Sequence, residues 1–392
     1  MMMTDSHYSR RLFLQGAASL ALAERLRTMA PTAQAFAKQK RPMEARLAFV
    51  ASGSTRGDKI HAFSIARDCW THVDSIACRA PSSVVLHPGK HCFYVANEVD
   101  SYRDLPRGTI EAYGFDPASG KLTLLDRKAL SLSGINPRHL AISPGGDSLA
   151  VAIHGGGAYN VFPIREDGAL GDVGGIFKEI GSGPRSEAQA AAHPHTLWFA
   201  GEGDALLASD SGSDRISVFH LSRAGLVRHS RVDTRPGLGP GSLIVHPGSR
   251  FVYVVNELDD SLSCYRFDPT GQRLGEELSW MQLESEVGHG VKRYSMTMDE
   301  EGRFLYVSAG DAISQWRLDP ASGTVSILQR WRGVVGSAAA LTMTGDGQGL
   351  LLLDDARDRV VQLEVKRSTG AIVRAKEMAR VVSPKAVAIY AC

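Results

Sequence analysis

PGSLIVHPGSRFVYVVNE, at residues 240–257, is the clearest copy of a pattern that recurs along the chain. It reads as a proline with small residues, a short apolar strand, a Pro/Gly turn and a second apolar strand. The same frame returns as PSSVVLHPGKHCFYVANE at residues 81–98 and as PRHLAISPGGDSLAVAIH at residues 137–154. Weaker copies begin at Pro194, Arg293 and Ser337. Repetition of a strand pair at such intervals is typical of a β-propeller.

The number of copies predicts the number of blades. The last residues of the successive first strands are His87, Ser143, Ala200, His246, Asp299, Thr344 and Tyr390. These seven positions are 45 to 57 residues apart, and a four-stranded blade needs about 40 to 50 residues. We therefore expect an all-β, seven-bladed β-propeller that occupies residues 41–392.

The two ends of this region are complementary. The last copy, Pro384–Tyr390, stops after its first strand, whereas strand-like segments at residues 46–50, 59–65 and 71–76 precede the first copy. Pairing the C-terminal strand with these three segments completes the seventh blade and removes two exposed strand edges, which otherwise favour aggregation. Helical periodicity is confined to the N-terminal segment, so an α/β architecture is not supported.

The first 40 residues differ in character from the rest. Ser9-Arg10-Arg11-Leu12-Phe13-Leu14 is followed by a weakly apolar run and, at residues 35–37, by the small-residue sequence Ala-Phe-Ala. This arrangement resembles a twin-arginine export signal, in which the arginines are an address read by a receptor. The alternative is an amphipathic helix that happens to carry two arginines. We expect residues 1–40 to be a signal peptide with a spacer, and the mature protein to be periplasmic and free of the membrane.

Charge and cysteine content argue against several kinds of site. The 392 residues include 44 lysines and arginines against 42 aspartates and glutamates, a net charge of +2. This balance argues against a general binding surface for nucleic acid or anionic lipid. None of the five cysteines has zinc-ligand spacing, so we expect neither a metal nor a cofactor. Cys69 and Cys78 could form a disulfide outside the cytoplasm, although buried free thiols are favoured. The sequence carries no signal of an oligomeric state.

The repeat also predicts which residues meet in space. In a propeller, the start of each innermost strand and the end of the next strand lie around the central channel, so residues at these positions converge on one mouth. The polar residues there are Asn97, Glu98, Arg138, His139, His154, His193, His195, Asp210, Asn256, Glu257, Tyr294 and Asp354. An acid, an imidazole and an arginine in such a ring suit hydrolysis or isomerisation of an oxygen ester, because the base activates water and the arginine binds an anionic group or the developing oxyanion.

The same residues resemble those of a known family. The strings VANE ending at Glu98, NPRHL at residues 136–140, HPH at residues 193–195 and VVNE ending at Glu257 are similar to those of the lactonase family of seven-bladed propellers. The resemblance covers about residues 46 to 390, and the family includes 6-phosphogluconolactonases and fungal-type muconate lactonising enzymes. It implies the propeller fold and a metal-independent lactone chemistry at the channel mouth.

The chain departs from the family pattern at two places. Where the family continues Gly-Pro-Arg-His-Leu before its Val-Asn-Glu strand, this chain has Gly241 and Ser242 in place of the arginine and histidine. Upstream of His193 the family shows Arg-Gln, whereas here Ala188 precedes glutamine. Arg185 could compensate if its loop bends suitably. These departures, together with the export signal, argue against assigning a phosphorylated sugar lactone as the substrate.

The leading hypothesis is an exported lactonase that opens a small sugar-derived or carboxylated lactone. We predict that Glu257 or His195 is the general base and that Arg138 is the third catalytic residue. The predicted substrate-binding residues are His139, His154, His193, Asn97, Glu98, Asp210 and Asn256. The alternatives are a non-catalytic periplasmic propeller that binds a protein or carbohydrate, and an isomerase that runs the reaction towards the lactone, since the fold does not determine function.

Structural roles compete with these assignments at several positions. Arg138 could form an ion pair between blades with an acid such as Asp210. Glu257 and Glu98 could cap the backbone of a neighbouring blade, and His195 could form only a hydrogen bond across the channel. The positions of these side chains in the structure distinguish between the two kinds of role.

Overall fold

The computed structural model describes residues 46–391 except 54–56, 67–68, 202, 223–224, 284–292, 334–335, 345–346 and 348. All regular structure in this part of the chain is β-strand. The 28 strands form seven antiparallel four-stranded sheets, which confirms the predicted seven-bladed propeller. The predicted export signal and its boundary at residue 40 lie outside the described residues.

The strands, numbered in chain order, occupy four positions in the blades. The innermost strands are β4 (Pro81–Leu86), β8 (Pro137–Ile142), β12 (Pro194–Phe199), β16 (Pro240–Val245), β20 (Tyr294–Met298), β24 (Ala338–Met343) and β28 (Pro384–Ala391). The second strands are β5 (Cys92–Asn97), β9 (Ser148–Ile153), β13 (Ala205–Asp210), β17 (Phe251–Asn256), β21 (Phe304–Ala309), β25 (Gly349–Asp354) and β1 (Arg46–Ser52). The third strands are β6 (Thr109–Phe115), β10 (Ala158–Pro163), β14 (Arg215–Ser222), β18 (Ser261–Asp268), β22 (Ala312–Leu318), β26 (Arg359–Lys366) and β2 (Lys59–Ala66). The outermost strands are β7 (Leu122–Ala129), β11 (Gly175–Lys178), β15 (Gly225–Asp233), β19 (Arg273–Gln282), β23 (Val325–Arg332), β27 (Ala371–Arg380) and β3 (Cys69–Ala77).

The ring closes in the predicted way. Blades 1 to 6 are consecutive in sequence, whereas blade 7 has the strand order β28-β1-β2-β3. β28 pairs antiparallel with β1 from Arg46 opposite Ala391 to Val50 opposite Val387. Each innermost strand also contacts the innermost strands of the two adjacent blades, and β24, β28 and β4 complete the circle.

Burial explains why the second strands read as continuous apolar runs. β5, β13, β17, β21 and β25 are buried at every residue, because a neighbouring blade covers each face of the sheet. One hydrophobic core, for example, joins Tyr253 of blade 4 to Trp316 of blade 5. Among the innermost strands, β4 and β28 are only partly buried, since one side faces the channel.

Side chains near the blade ends join neighbouring blades by hydrogen bonds. Nε2 of His87 lies 2.8 Å from the carbonyl oxygen of Gly146 in the next blade, and Nε2 of His246 lies 3.0 Å from that of Gly302. Both glycines have positive φ, and a Cβ on either would lie within 3 Å of the histidine ring. Glycine is therefore required at these two turns.

The cysteines are mostly buried thiols. Cys78, Cys92 and Cys264 are free and buried, as favoured from the sequence, whereas Cys69 is free and exposed. The disulfide considered between Cys69 and Cys78 is therefore absent among the described residues.

Candidate functional site

The innermost strands enclose a cavity of about 790 Å³ in the central channel. Its wall is built from the first residues of these strands, where the register between first and second strand shifts in blades 1, 2, 3, 4, 6 and 7. Such bulges redirect side chains, which explains how adjacent residues can both line the cavity. Arg138 with His139, and His195 with Thr196, are two such pairs.

His195, Thr196 and Glu257 form a contiguous group at this wall. Nε2 of His195 lies 3.0 Å from Oε1 of Glu257, and Nδ1 lies 3.0 Å from Oγ1 of Thr196. Burial raises the pKa of Glu257, but neighbouring His195, Arg138 and His154 outweigh it and hold that pKa below its ordinary value. The contact between Nε2 and Oε1 does not have hydrogen-bond geometry in this structure. The ionised carboxylate nevertheless favours a proton on Nε2, which leaves Nδ1 to accept a hydrogen bond from the Thr196 hydroxyl.

Gly241 provides the space that Glu257 occupies. A Cβ on Gly241 would lie 2.5 Å from Cγ of Glu257 and 2.6 Å from its Cδ and Oε1. The backbone N–H of Glu257 donates to the carbonyl of Gly239, at 2.8 Å, which fixes the start of the side chain. The glycine that replaces the family's arginine is thus in contact with the acid that approaches His195.

Arg138 lines the cavity with no ion-pair partner within 4.0 Å among the described residues. The ion pair considered with Asp210 is not formed; Oδ1 of Asp210 accepts the backbone N–H groups of His193, Gly212 and Ser213. The guanidinium of Arg138 therefore remains available to a ligand in the cavity.

Three further histidines surround this group: His139, His154 and His193. The first two have strongly shifted pKa values. Burial, with contributions from His195 and Arg138, lowers the pKa of His139 to about 4. Burial, with contributions from Arg138 and other histidines, lowers the pKa of His154 to about 3. The backbone N–H of Leu197 donates to Nδ1 of His139, at 3.3 Å. Both rings are therefore neutral near pH 7, and Arg138 is the charged group beside the acid.

His154 and His193 support the wall rather than line it. Their rings stack with centroids 4.6 Å apart, and the His154 ring lies edge-on to His195 at 6.4 Å. Nδ1 of His193 lies 3.0 Å from the carbonyl oxygen of His154. The glycines at residues 155–157 bring the chain against the loop at Ser133, since a Cβ on Gly156 would lie 2.4 Å from the Ser133 carbonyl oxygen. Close packing of two segments of the chain therefore explains the three glycines at residues 155–157.

The other predicted residues divide into two groups. Glu98 and Tyr294 line the cavity. Asn97, Asn256, Asp210 and Asp354 are buried outside its lining, and each hydrogen bonds to protein groups. For Asn97 and Asn256, substrate binding stays a prediction, and the contacts present support the ends of strands.

Sequence reasoning missed four residues near the cavity. Thr196, Arg293 and Lys385 line it, and Asp355 contacts the last two. Thr196 follows His195 and was not predicted, because successive residues of a strand normally face opposite sides. Lys385 is the second residue of β28, the position that Arg138 occupies in β8, so the repeat did contain that signal. Arg185, considered as a substitute arginine, donates from Nε to the carbonyl of Gly237 at 2.9 Å and does not line the cavity.

The described residues contain neither a metal-binding cluster nor a membrane-spanning helix. No group of three or more histidine, cysteine or acidic residues that could hold a metal ion occurs among the described residues. In the residues that the structure describes, no helix is long and apolar enough to cross a bilayer.

One protein family and several known proteins are similar to this chain. A model of one protein family, described as lactonase, 7-bladed beta-propeller, matches residues 48–389. A 6-phosphogluconolactonase of Bacillus subtilis (strain 168) is 25% identical over 252 residues, which are 64% of this chain and 70% of that protein. A 6-phosphogluconolactonase of Pectobacterium carotovorum is 28% identical over 265 residues, 67% of this chain and 69% of that protein. The solved structure of the periplasmic gluconolactonase of Pseudomonas aeruginosa superposes with a TM-score of 0.78 at 21% identity, covering 88% of this chain and 99% of that one.

Proposed function

The chain belongs to the lactonase family of seven-bladed β-propellers, and from that premise we propose that His195, with Glu257 and Arg138, hydrolyses a small lactone in the central cavity. Family membership and the 6-phosphogluconolactonase relatives make the chain a lactone-hydrolysing enzyme. The observation that carries the residue assignment is the 3.0 Å approach of His195 to Glu257 beside an arginine that lines the cavity without an ion-pair partner among the described residues.

His195 acts as the general base in this proposal. The ionised carboxylate of Glu257 orients the ring through Nε2 and stabilises the imidazolium that forms when Nδ1 takes a proton. The Thr196 hydroxyl, 3.0 Å from Nδ1, relays that proton: it gives its own to Nδ1 as it accepts one from the attacking water. The water oxygen then bonds to the lactone carbonyl carbon. Collapse of the tetrahedral intermediate breaks the ring C–O bond, and the imidazolium returns the proton to the leaving alkoxide.

Arg138 stabilises the negative charge on the former carbonyl oxygen. Its charge is fixed at all relevant pH values, and the neighbouring neutral rings of His139 and His154 neither compete for the oxyanion nor repel the arginine. A preorganised cation in a restricted cavity lowers the barrier because the charge develops only in the transition state. The roles of His139 and Glu98 as substrate contacts belong to the same proposal, since both line the cavity.

The substrate and the cellular location are further parts of the proposal. The relatives named above act on lactones of sugar acids according to their names, which supports a sugar-derived or carboxylated lactone here. The paired arginines at Arg10 and Arg11 and the periplasmic location named for the Pseudomonas structure support export. Cell fractionation tests the location, and recovery of the protein in the cytoplasm alone would contradict it.

A lactone panel measured by pH-stat tests the activity and the roles together. We expect H195A and E257Q to lower kcat/KM by about 100-fold or more, the range in which general acid–base groups contribute. T196V should lose activity to a similar degree, whereas T196S should keep most of it because the relaying hydroxyl remains. Rates must be corrected for the uncatalysed opening of the lactones.

Matched variants outside the cavity control for general effects on folding. His220 and Glu166 have exposed side chains, so H220A and E166Q should leave kcat/KM unchanged. Full activity in the H195A/E257Q double variant would show that another group is the base.

A further inference from the structure

The cavity has two layers of different character. Its rim carries polar and charged side chains at the second residue of several innermost strands, among them Arg138, His195 and Lys385. Deeper in the channel the lining includes an apolar layer from blades 1, 4, 5 and 7, which consists of Val84, Leu243, Met296 and Val387. The mechanism proposed for His195, Glu257 and Arg138 makes no use of this layer.

The strand register determines the depth of the apolar layer. Each of its four residues lies opposite the third-to-last residue of the second strand in its blade. In blade 1, for example, Val84 lies opposite Val95, whereas Pro81 at the strand start lies opposite Asn97. Because a strand rises about 3.4 Å per residue, the layer is about 7 Å below the strand starts. A ligand that reaches it must extend down the channel from the rim.

Small apolar residues form the wall opposite His195. In a closed ring of seven blades, blades 6 and 7 face blade 3, and there Ala339, Ala340 and Ala386 line the cavity. Ala339 is the second residue of β24, the position that His195 occupies in β12. The short side chain leaves room between His195 and this wall. With a volume of about 790 Å³, the cavity is in the range of sites that enclose drug-sized molecules.

Four of the six serine and threonine hydroxyls in the described lining have partners within the protein. One is the Thr196 hydroxyl, which bonds to His195. The other three donate to carbonyl oxygens of the next blade: Ser82 to Pro137 at 2.9 Å, Ser242 to Tyr294 at 3.5 Å and Ser295 to Leu341 at 3.3 Å. A polyol chain in the channel would therefore lose hydrogen bonds to water without gaining equal ones. An alkyl chain gains free energy by leaving water.

We propose that the alanine wall and the apolar layer bind an apolar substituent of the substrate, so that the enzyme prefers lactones whose ring carries an alkyl chain. This inference rests on the proposed function and deepens it by naming a substrate class. The lactone ring, sugar-derived or carboxylated, contacts His195, Thr196 and Arg138 at the rim, and the chain extends down the channel to Met296. An unbranched thioether side chain suits this contact because it adapts to ligands of different shape.

Two series of lactones test the preference. The first is δ-hexalactone, δ-octalactone and δ-decalactone, which carry a methyl, a propyl and a pentyl group on the same ring. The second is glucono-δ-lactone and its 6-O-butyl ether, which share a sugar-derived ring. We expect kcat/KM to rise about three- to fourfold for each buried methylene, so that the pentyl lactone exceeds the methyl lactone at least about tenfold, chiefly through KM. The absence of a rise in both series would overturn the proposal.

Variants of the cavity wall connect the preference to these residues. In M296Q/V387T we expect the ratio of kcat/KM for the pentyl lactone to that for the methyl lactone to fall at least about fivefold, since the chain then contacts polar groups. A339L should lower the same ratio by filling the space opposite His195. A long side chain fits this strand position, because blades 2 and 3 have Arg138 and His195 there. An unchanged ratio in M296Q/V387T would show that the chain binds elsewhere.

Conservative and surface variants keep the test decisive. M296L/V387I keeps the layer apolar and should keep most of the preference, which separates a lost contact from misfolding. V373T changes an exposed valine of β27, outside the cavity lining, and should leave the ratio unchanged. Thermal unfolding of all variants shows whether the propeller is intact.

Product binding separates this inference from the proposed function. Calorimetry with 5-hydroxyhexanoate and 5-hydroxydecanoate requires no turnover, and the wild-type protein should bind the longer acid more tightly, with a more negative heat-capacity change. The difference in affinity should decrease in M296Q/V387T. Equal affinities of the wild type for the two acids would refute the apolar subsite even if lactones are hydrolysed. Tighter binding of the longer acid without hydrolysis of any lactone would instead refute the catalytic assignment alone.

Discussion

At the scale of single residues, the structure explains why Gly241 stands where the family has an arginine. The sequence alone indicates a weakened site, because Gly241 and Ser242 stand where the family has arginine and histidine. In the structure a Cβ at this position would lie 2.5 Å from the Glu257 side chain. The glycine is thus a condition for the approach of Glu257 to His195. Gly241 and Glu257 lie at different strands, and a contact between strands produces no local sequence pattern. Their contact could therefore not be predicted from the sequence.

We expect G241A to lower kcat at least about tenfold, because the added methyl group displaces the carboxylate that orients His195. Gly241 is not among the residues with positive φ, so alanine fits the backbone and the fold should survive. The double variant G241A/E257D should recover part of the loss, since aspartate is shorter by one methylene. Steady-state kinetics and thermal unfolding of both variants measure these effects.

A second glycine provides the control for this substitution. A Cβ on Gly275 in β19 would lie 3.5 Å from Arg266, an ordinary contact, so G275A should leave kcat unchanged. If G241A is as active as the wild type, Glu257 does not orient the base.

At the scale of elements, the repeat predicts strands well and their mutual contacts less well. The segments predicted at residues 46–50, 59–65 and 71–76 are the cores of β1, β2 and β3, because alternation and turn residues depend on local sequence. The outer edge of blade 2 was not predicted: β11 has only four residues and the chain continues without a strand to β12. There Gln189 is buried and donates to the Ser211 carbonyl and to Asp214 at 2.8 Å. These contacts join residues distant in sequence, so no local pattern indicates them.

A tyrosine on the second strand links several blades to the next one. The hydroxyls of Tyr94, Tyr253 and Tyr306 donate to the carbonyls of Gly168, Gly323 and Gly370, at 2.9, 3.1 and 2.7 Å. We expect Y253F to lower the free energy of unfolding by about 1 to 3 kcal/mol, because a buried carbonyl loses its donor while the ring remains. Denaturant unfolding of the two proteins measures the difference.

Tyr102 allows the same substitution at a less buried place. It lies in the loop between β5 and β6, with Arg103 over its ring, and Y102F should change the free energy of unfolding by less than about 0.5 kcal/mol. Equal effects of Y253F and Y102F would mean that the link between blades contributes nothing measurable.

At the scale of the whole molecule, the site depends on closure of the ring. Arg138, His195, Glu257, Arg293 and Lys385 come from blades 2, 3, 4, 5 and 7, so no single blade or pair of blades carries the chemistry. The repeat predicted which strand positions converge, and the ring order then determines which residues face each other. The sequence could not show which members of the converging set line the cavity, since this depends on the bulge at each strand start.

The closing strand therefore controls both stability and activity. Removal of residues 384–392 deletes β28, exposes the edge of β1 and takes Lys385 from the cavity wall. We expect the truncated protein to lose cooperative thermal unfolding and lactone hydrolysis, because an open edge strand has unpaired backbone groups and the ring no longer confines the site. A synthetic peptide of residues 384–392 should pair with β1 as an added strand and restore part of both properties. The same peptide with scrambled sequence should not, since the register from Arg46 to Ser52 depends on matching side chains to the two faces. Cooperative unfolding and full activity of the truncated protein without peptide would show that closure by β28 is dispensable.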